Sequence, residues 1–217
     1  MDFVTKLWEF DVQYLARVAI DNEIRSGKWY SVKQKPPNPE NPRSQVLLEV
    51  QKERMEKPPM RILAWDIETA KQPLKFPDAN NDGDEIMMIS LMTNNNKGHL
   101  IVNRTIVSED LADTEYIPKK EYAGYFATHN VPDEKALLKK FFELIRKIDP
   151  HVQVTFNGDN FDIPYVEKRC ERYDINMYRE IGLRKDSDDC YIGKWQLHLD
   201  CLYWVIRDSY LPCGARG

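Results

Sequence analysis

Two acids, Asp66 and Glu68, close the otherwise apolar run Ile62-Leu-Ala-Trp-Asp-Ile-Glu68. Alternate residues of a strand share a face, so both carboxylates project from one side and Ile67 from the other. Paired acids repel, and a divalent cation relieves that repulsion by supplying opposite charge. Asp-x-Glu alone is equally compatible with an exposed strand that carries incidental acids.

A second cluster narrows the choice. The apolar stretch His151 to Phe156 runs directly into Asn157-Gly158-Asp159-Asn160-Phe161-Asp162. If this stretch is a strand parallel to the first and beside it, both end on the same side. Asp162 then approaches Asp66 and Glu68 at the carboxyl edge of a sheet, where open α/β sheets bind ligands. Three oxygen donors without paired His or Cys favour Mg²⁺ or Mn²⁺ over Zn²⁺. The plainer readings are a turn for residues 157–159 and a helix cap for Asp162.

Composition sets limits on what such a site serves. The chain has 217 residues, is 42% hydrophobic, and carries 31 Lys and Arg against 35 Asp and Glu, a formal charge of -4. It can bury a core and is not a uniformly basic coat protein for nucleic acid, so any such contact is local or metal-assisted. Cys170, Cys190, Cys201 and Cys213 form no Cys-x-x-Cys pair, and His198 lacks a second suitably spaced histidine. This argues against a zinc site and for reduced thiols in a cytosolic or nuclear protein. Charges interrupt Met1 to Leu15, so no signal region is expected there, and no apolar run predicts a membrane span.

The elements that must position the acids follow from patterning. Near-alternation of apolar residues from Leu7 to Ile20 predicts strand, part of a small β-rich domain over residues 1–32. The proline-rich run Lys33 to Pro42 predicts an exposed connection, and Ser44 to Met55 a short helix, within a linker over residues 33–59. The main domain occupies residues 60–217. Strands are expected at Arg61–Ile67, Glu85–Thr93 and Gly98–Arg104, the last two joined as a hairpin through Asn94-Asn-Asn-Lys-Gly98. Leu137, Leu138, Phe141, Phe142, Ile145 and Ile148 share one face of a helix that Pro150 ends. The strand His151–Phe156 and a helix from Asp162 complete the order. Three antiparallel strands, a crossover helix and a parallel strand make a mixed α/β sheet of the ribonuclease H-like kind.

Asp66-Ile67-Glu68-Thr69 resembles the first exonuclease motif of the family B DNA polymerases. Asn157-Gly-Asp-Asn-Phe161-Asp162 resembles their second, Asn-x-x-x-Phe-Asp. The stretches from Met60 to Asp78 and from Asp208 to Pro212, with Leu7-Trp-Glu-Phe-Asp11 and Gly27-Lys-Trp-Tyr30, extend the resemblance over nearly the whole chain. It implies a 3′→5′ exonuclease domain that uses two Mg²⁺ or Mn²⁺ ions. Asp66 would bridge both ions, Glu68 would ligate the nucleophile-side ion and Asp162 the leaving-group-side ion. Asn157 and Phe161 would position the terminal nucleotides, with Thr69 as a further DNA contact. Implied partners are the 3′ end of primer-template DNA, the rest of a polymerase chain and its accessory subunits, in the nucleus and away from membranes. A mispaired end would enter more readily because it costs less to unpair.

The family's third motif, Tyr-x-x-x-Asp, does not occur between Asp162 and Gly217. The resemblance therefore implies an exonuclease domain truncated at its C-terminus. A missing ligand should cost more than the roughly 1.4–2.7 kcal/mol of a lost supporting contact. Asp200 is the nearest substitute, but its place before Trp204 and Arg207 suggests a supporting acid at a strand end, paired to Arg207. A catalytically idle nucleic-acid-binding or assembly fragment is the competing expectation.

Overall fold

The computed structural model describes residues 11–37, 39, 45–117, 121 and 123–208. The chain divides into two compact units between Pro59 and Met60.

In the first unit, helix α1 (Tyr14–Asp21) precedes an antiparallel pair, β1 (Tyr30–Lys35) and β2 (Gln45–Val50), with Tyr30 opposite Val50. The Arg54 guanidinium lies 3.8 Å from the centre of the Trp29 ring, whose Nε1 donates to Glu56 O at 2.8 Å. Three expectations are corrected here. Residues 14–20 are helical, because Tyr14, Leu15, Val18 and Ala19 recur at i, i+4 spacing, and Arg17 pairs with Asp21 four residues on at 2.9 Å. The predicted strand's first residues, 7–10, lie outside the described set. The helix expected over 44–55 is instead strand β2, where Val46, Leu47, Leu48 and Val50 pair with β1. Lys33 to Lys35 belong to β1, so the connection is shorter than expected and residues 33–59 include half of a strand pair.

The second unit contains β3 (Ile62–Thr69), β4 (Ile86–Thr93), β5 (Lys97–Asn103), β6 (Thr114–Tyr116) and β7 (Gly124–Val131). Helix α2 (Glu134–Ile148), β8 (Val152–Thr155), α3 (Asp162–Glu171) and α4 (Met177–Ile181) follow. The hairpin β9 (Leu183–Lys185) and β10 (Tyr191–Gly193), then β11 (Leu197–Asp200) and α5 (Cys201–Asp208), complete it. Seven strands form one sheet in the order β11-β8-β3-β4-β5-β7-β6. β4 pairs antiparallel with β3 on one side and β5 on the other, whereas β8 runs parallel to both β3 and β11. The expected meander, crossover helix and parallel strand are all present, and this is a ribonuclease H-like α/β fold. Patterning missed β7, whose Thr128, His129 and Asn130 dilute the apolar signal, although it pairs parallel to β5.

Residue alternation divides β3 cleanly. Leu63, Trp65 and Ile67 are buried, while Ala64, Asp66 and Glu68 are exposed on the opposite face. The buried face meets α2 through Leu137, Leu138, Phe141, Phe142 and Ile145. The Trp65 and Phe141 rings meet edge to face at 5.0 Å. Asp133 caps α2 by accepting Ala136 N–H at 2.8 Å, and Asp149 ends it in the left-handed conformation before Pro150. Asn96 alone of the β4–β5 turn takes positive φ, at 61°.

A buried ion pair ties this core to the segment between β3 and β4. Glu134 and Arg169 are almost wholly buried and meet at 2.6–3.0 Å through two guanidinium nitrogens. Glu134 also accepts Ile86 N–H at 2.7 Å and Tyr173 O–H at 2.9 Å. Arg169 Nη1 donates to the carbonyls of Ala79 and Asn81. Each charge is satisfied, so the pair fixes one geometry for the β3–β4 connection. Truncating Phe141 to Ala should cost about 3–5 kcal/mol, read from urea unfolding of the 217-residue chain. A cost below about 1 kcal/mol would contradict the placement of α2 on the sheet.

Candidate active site

The parallel register of β3 and β8 sets Ile62 beside Val152 and Ala64 beside Val154. The chain leaving β8 consequently passes the end of β3 as it turns into α3. Asp162, the first residue of α3, is 2% exposed, and its Oδ1 accepts the backbone N–H of Ile67 at 3.2 Å. Its carboxyl faces that of Asp66. Burial first, and then the charge of Asp66, push the Asp162 carboxyl up to about 7, with the Ile67 N–H acting in the opposite direction. Asp66 itself is exposed at the rim of a trough lined by Ala64, Ser90, Met92, Val154 and Phe156.

The structure thus brings Asp66 and Asp162 together. Glu68 lies on the same face of β3 and is exposed. Thr69 is half-buried where the pairing with β4 slips: Glu68 is opposite Met88 but Thr69 is opposite Ile86, leaving Met87 as the extra residue of a bulge. Among the described residues, no three His, Cys, Asp or Glu side chains gather closely enough to hold a metal ion. The pair that does meet has the chemistry a hard cation suits, since both groups are carboxylates that disfavour being ionised together.

The loop from β8 to α3 is tightly specified. Asn157 adopts φ 62°, and its side-chain oxygen accepts Asn160 Nδ2 at 3.0 Å. Gly158 admits no side chain, because a Cβ there would lie 2.2 Å from Thr155 Oγ1. Phe161 is partly buried against the core, with its ring 5.6 Å from that of Tyr165. Asp159 is buried and accepts Tyr191 N–H at 2.9 Å. Asp200, buried at the end of β11, accepts the N–H groups of Asn157, Asp159 and Leu202. Asp200 is the strand-end acid expected from its place before Trp204 and Arg207, but its grip on this loop has no counterpart in the sequence pattern. The signal available was only its position one strand beyond β8. Glu134 was missed altogether, since an acid in a helix first turn looks like an ordinary dipole partner.

Asp162 has a sign-defined effect on stability. Its folded pKa of about 7 exceeds the ordinary carboxylate value, so the folded state holds its proton more tightly. Without metal, this group's contribution should fall as pH rises from about 4 to about 7 and stay low above that. Asp162→Asn in EDTA should therefore unfold at a higher temperature than the parent at pH 8 and near the parent's at pH 5. Parallel melting curves across that range would contradict the buried, Asp66-facing placement.

Comparison with known proteins matches this architecture to a family. A profile described as "DNA polymerase family B, exonuclease domain" matches residues 5–214. The chain is 52% identical over 209 residues to a DNA polymerase epsilon catalytic subunit of Debaryomyces hansenii, an alignment covering 96% of the chain and 9% of that protein. It is 45% identical over 219 residues to a DNA polymerase epsilon catalytic subunit of Arabidopsis thaliana, covering 100% of the chain and 10% of that protein. The chain thus spans about a tenth of the length of these relatives. Among solved structures, the family B DNA polymerase of the hyperthermophilic archaeon Pyrobaculum calidifontis shares the fold with a TM-score of 0.61 at 19% identity, over 95% of this chain and 24% of that one. With the profile matching almost the whole of this chain, over a mixed sheet that carries acids at its carboxyl edge, the chain belongs to the family B DNA polymerases through their exonuclease domain.

Proposed function

We propose that this chain is the proofreading 3′→5′ exonuclease region of the catalytic subunit of DNA polymerase epsilon. In this reading it serves a nuclear replicative enzyme and hydrolyses the 3′-terminal phosphodiester of a primer. The observation that carries this reading is the meeting of Asp66 with buried Asp162, two residues far apart in sequence, at the carboxyl edge of the sheet. Its partners are the 3′ end of primer-template DNA, the remaining polymerase chain and its accessory subunits.

Asp66, Glu68 and Asp162 would hold two Mg²⁺ or Mn²⁺ ions, with exposed Glu68 completing the pair that already meets. When bound, such ions lower the pKa of water and neutralise charge on the phosphate and the departing 3′ oxygen. The Ile67 N–H orients the Asp162 carboxylate. Asn157, Phe161 and Thr69 position the terminal nucleotides beside the acids. Holding the scissile phosphate against fixed carboxylates replaces a bimolecular encounter by a positioned one.

A second reading, a catalytically idle module that binds nucleic acid or supports assembly, is favoured by the absence of a three-ligand cluster among the described residues. The two separate by experiment. In the complete subunit, Asp66→Ala combined with Glu68→Ala should lower Mg²⁺-dependent release of deoxynucleoside monophosphate from 3′-labelled single-stranded DNA by more than about 100-fold. An exonuclease rate that survives the double substitution rules out these roles. In the 217-residue chain, Mn²⁺ titration followed by electron paramagnetic resonance should show binding that Asp162→Asn weakens by at least about tenfold. Equal affinity in parent and variant favours the idle module.

A further inference from the structure

We infer that Asp200 is a positioning residue for the exonuclease site: it holds the β8–α3 loop by its backbone and ligates no metal. The inference rests on the exonuclease reading. Both oxygens of its buried carboxylate are engaged by main-chain donors. Oδ1 accepts Asn157 N–H at 2.8 Å and Leu202 N–H at 3.0 Å, and Oδ2 accepts Asp159 N–H at 3.1 Å. These are charge-assisted bonds, roughly twice as strong as neutral ones.

The loop needs such a hold. Asn157 sits at φ 62°, a conformation that side-chain-bearing residues seldom take, five residues before Asp162. Gly158 is pressed against Thr155, so the chain has one narrow path out of β8. β11 lies parallel to β8 with Asp200 beside Thr155, which places the carboxylate directly under the turning backbone. A second layer supports it. His198 shares a 2.9 Å contact with Thr155 Oγ1 and lies 3.4 Å from the Asp159 carboxylate, which in turn accepts Tyr191 N–H. The loop is therefore tied on its inner side to β11 and β10, while Asp162 at its far end reaches Asp66. An acid whose oxygens already accept three N–H groups is committed to the backbone, which separates it from Asp66 and Glu68 on the open face.

The isosteric Asp200→Asn keeps one acceptor and turns the other into a donor facing Asp159 N–H. Hydrogen exchange of the 217-residue chain should show the amides of Asn157, Asp159 and Leu202 exchanging at least about tenfold faster, with α2 amides unchanged. In the complete subunit, kcat for 3′-end hydrolysis should fall about 10–100-fold with little change in KM for DNA, and the number of Mn²⁺ ions bound should not change. Asp200→Glu, which keeps the charge but shifts it by one methylene, provides a second variant with the same expectations. Unchanged exchange at the loop, a full kcat despite a loosened loop, or loss of a bound ion would each overturn the inference. If Asp66→Ala also leaves the rate intact, the exonuclease reading is what has failed, and the exchange data still decide whether Asp200 holds the loop.

Discussion

Two carboxylates facing each other, one exposed and one removed from water, resist being placed together. Asp66 and Asp162 are so placed because the strands and the loop that carry them are fixed mainly by core packing and strand pairing. The buried face of β3 is locked to α2 by Leu63, Trp65 and Ile67, which leaves Asp66 no choice of side. Parallel pairing of β8 with β3 then delivers Asp162 from 96 residues further along the chain. Local repulsion is tolerated because burial of the core outweighs it.

Two polar networks complete the frame on either side of the acids. On one side, Glu134 and Arg169 tie α2 and α3 to the carbonyls of Ala79 and Asn81, closing the β3–β4 connection. On the other, Asp200 grips the loop that leads to Asp162. Both networks place charge in the interior, and both satisfy it with several hydrogen bonds. Deleting Glu134 or Arg169 would leave a buried charge without its partner, and deleting Asp200 would leave backbone N–H groups unpaired, each costlier than the bond itself is stabilising. The placement of the two acids thus depends on residues that lie outside the pair.

Legibility varied with the strength of local signals. β3, β4, β5, α2 and β8 were readable because apolar residues recur with one clear period, as along α2 from Leu137 to Ile145. α1 and β2 were misread where few residues carry the pattern: α1 buries none of its side chains, and β2 is defined by pairing with β1 more than by its own sequence. β11, only Leu197 to Asp200, was too short to stand out, yet it supplies the acid that holds the loop.

By itself the sequence determined which residues could do chemistry, because acid spacing in an apolar strand and the Asn-x-x-x-Phe-Asp spacing are local properties of the chain. It also determined the fold class, through the order and periodicity of the strong elements. Only the tertiary structure decided which acids meet. Asp66 and Asp162 come face to face, Glu68 stays exposed beside them, and Asp200 turns away to bind backbone. The physical reason is that strand pairing and burial act between residues distant in sequence, so the surroundings that make one carboxylate a candidate ligand and another a support exist only once the sheet has formed.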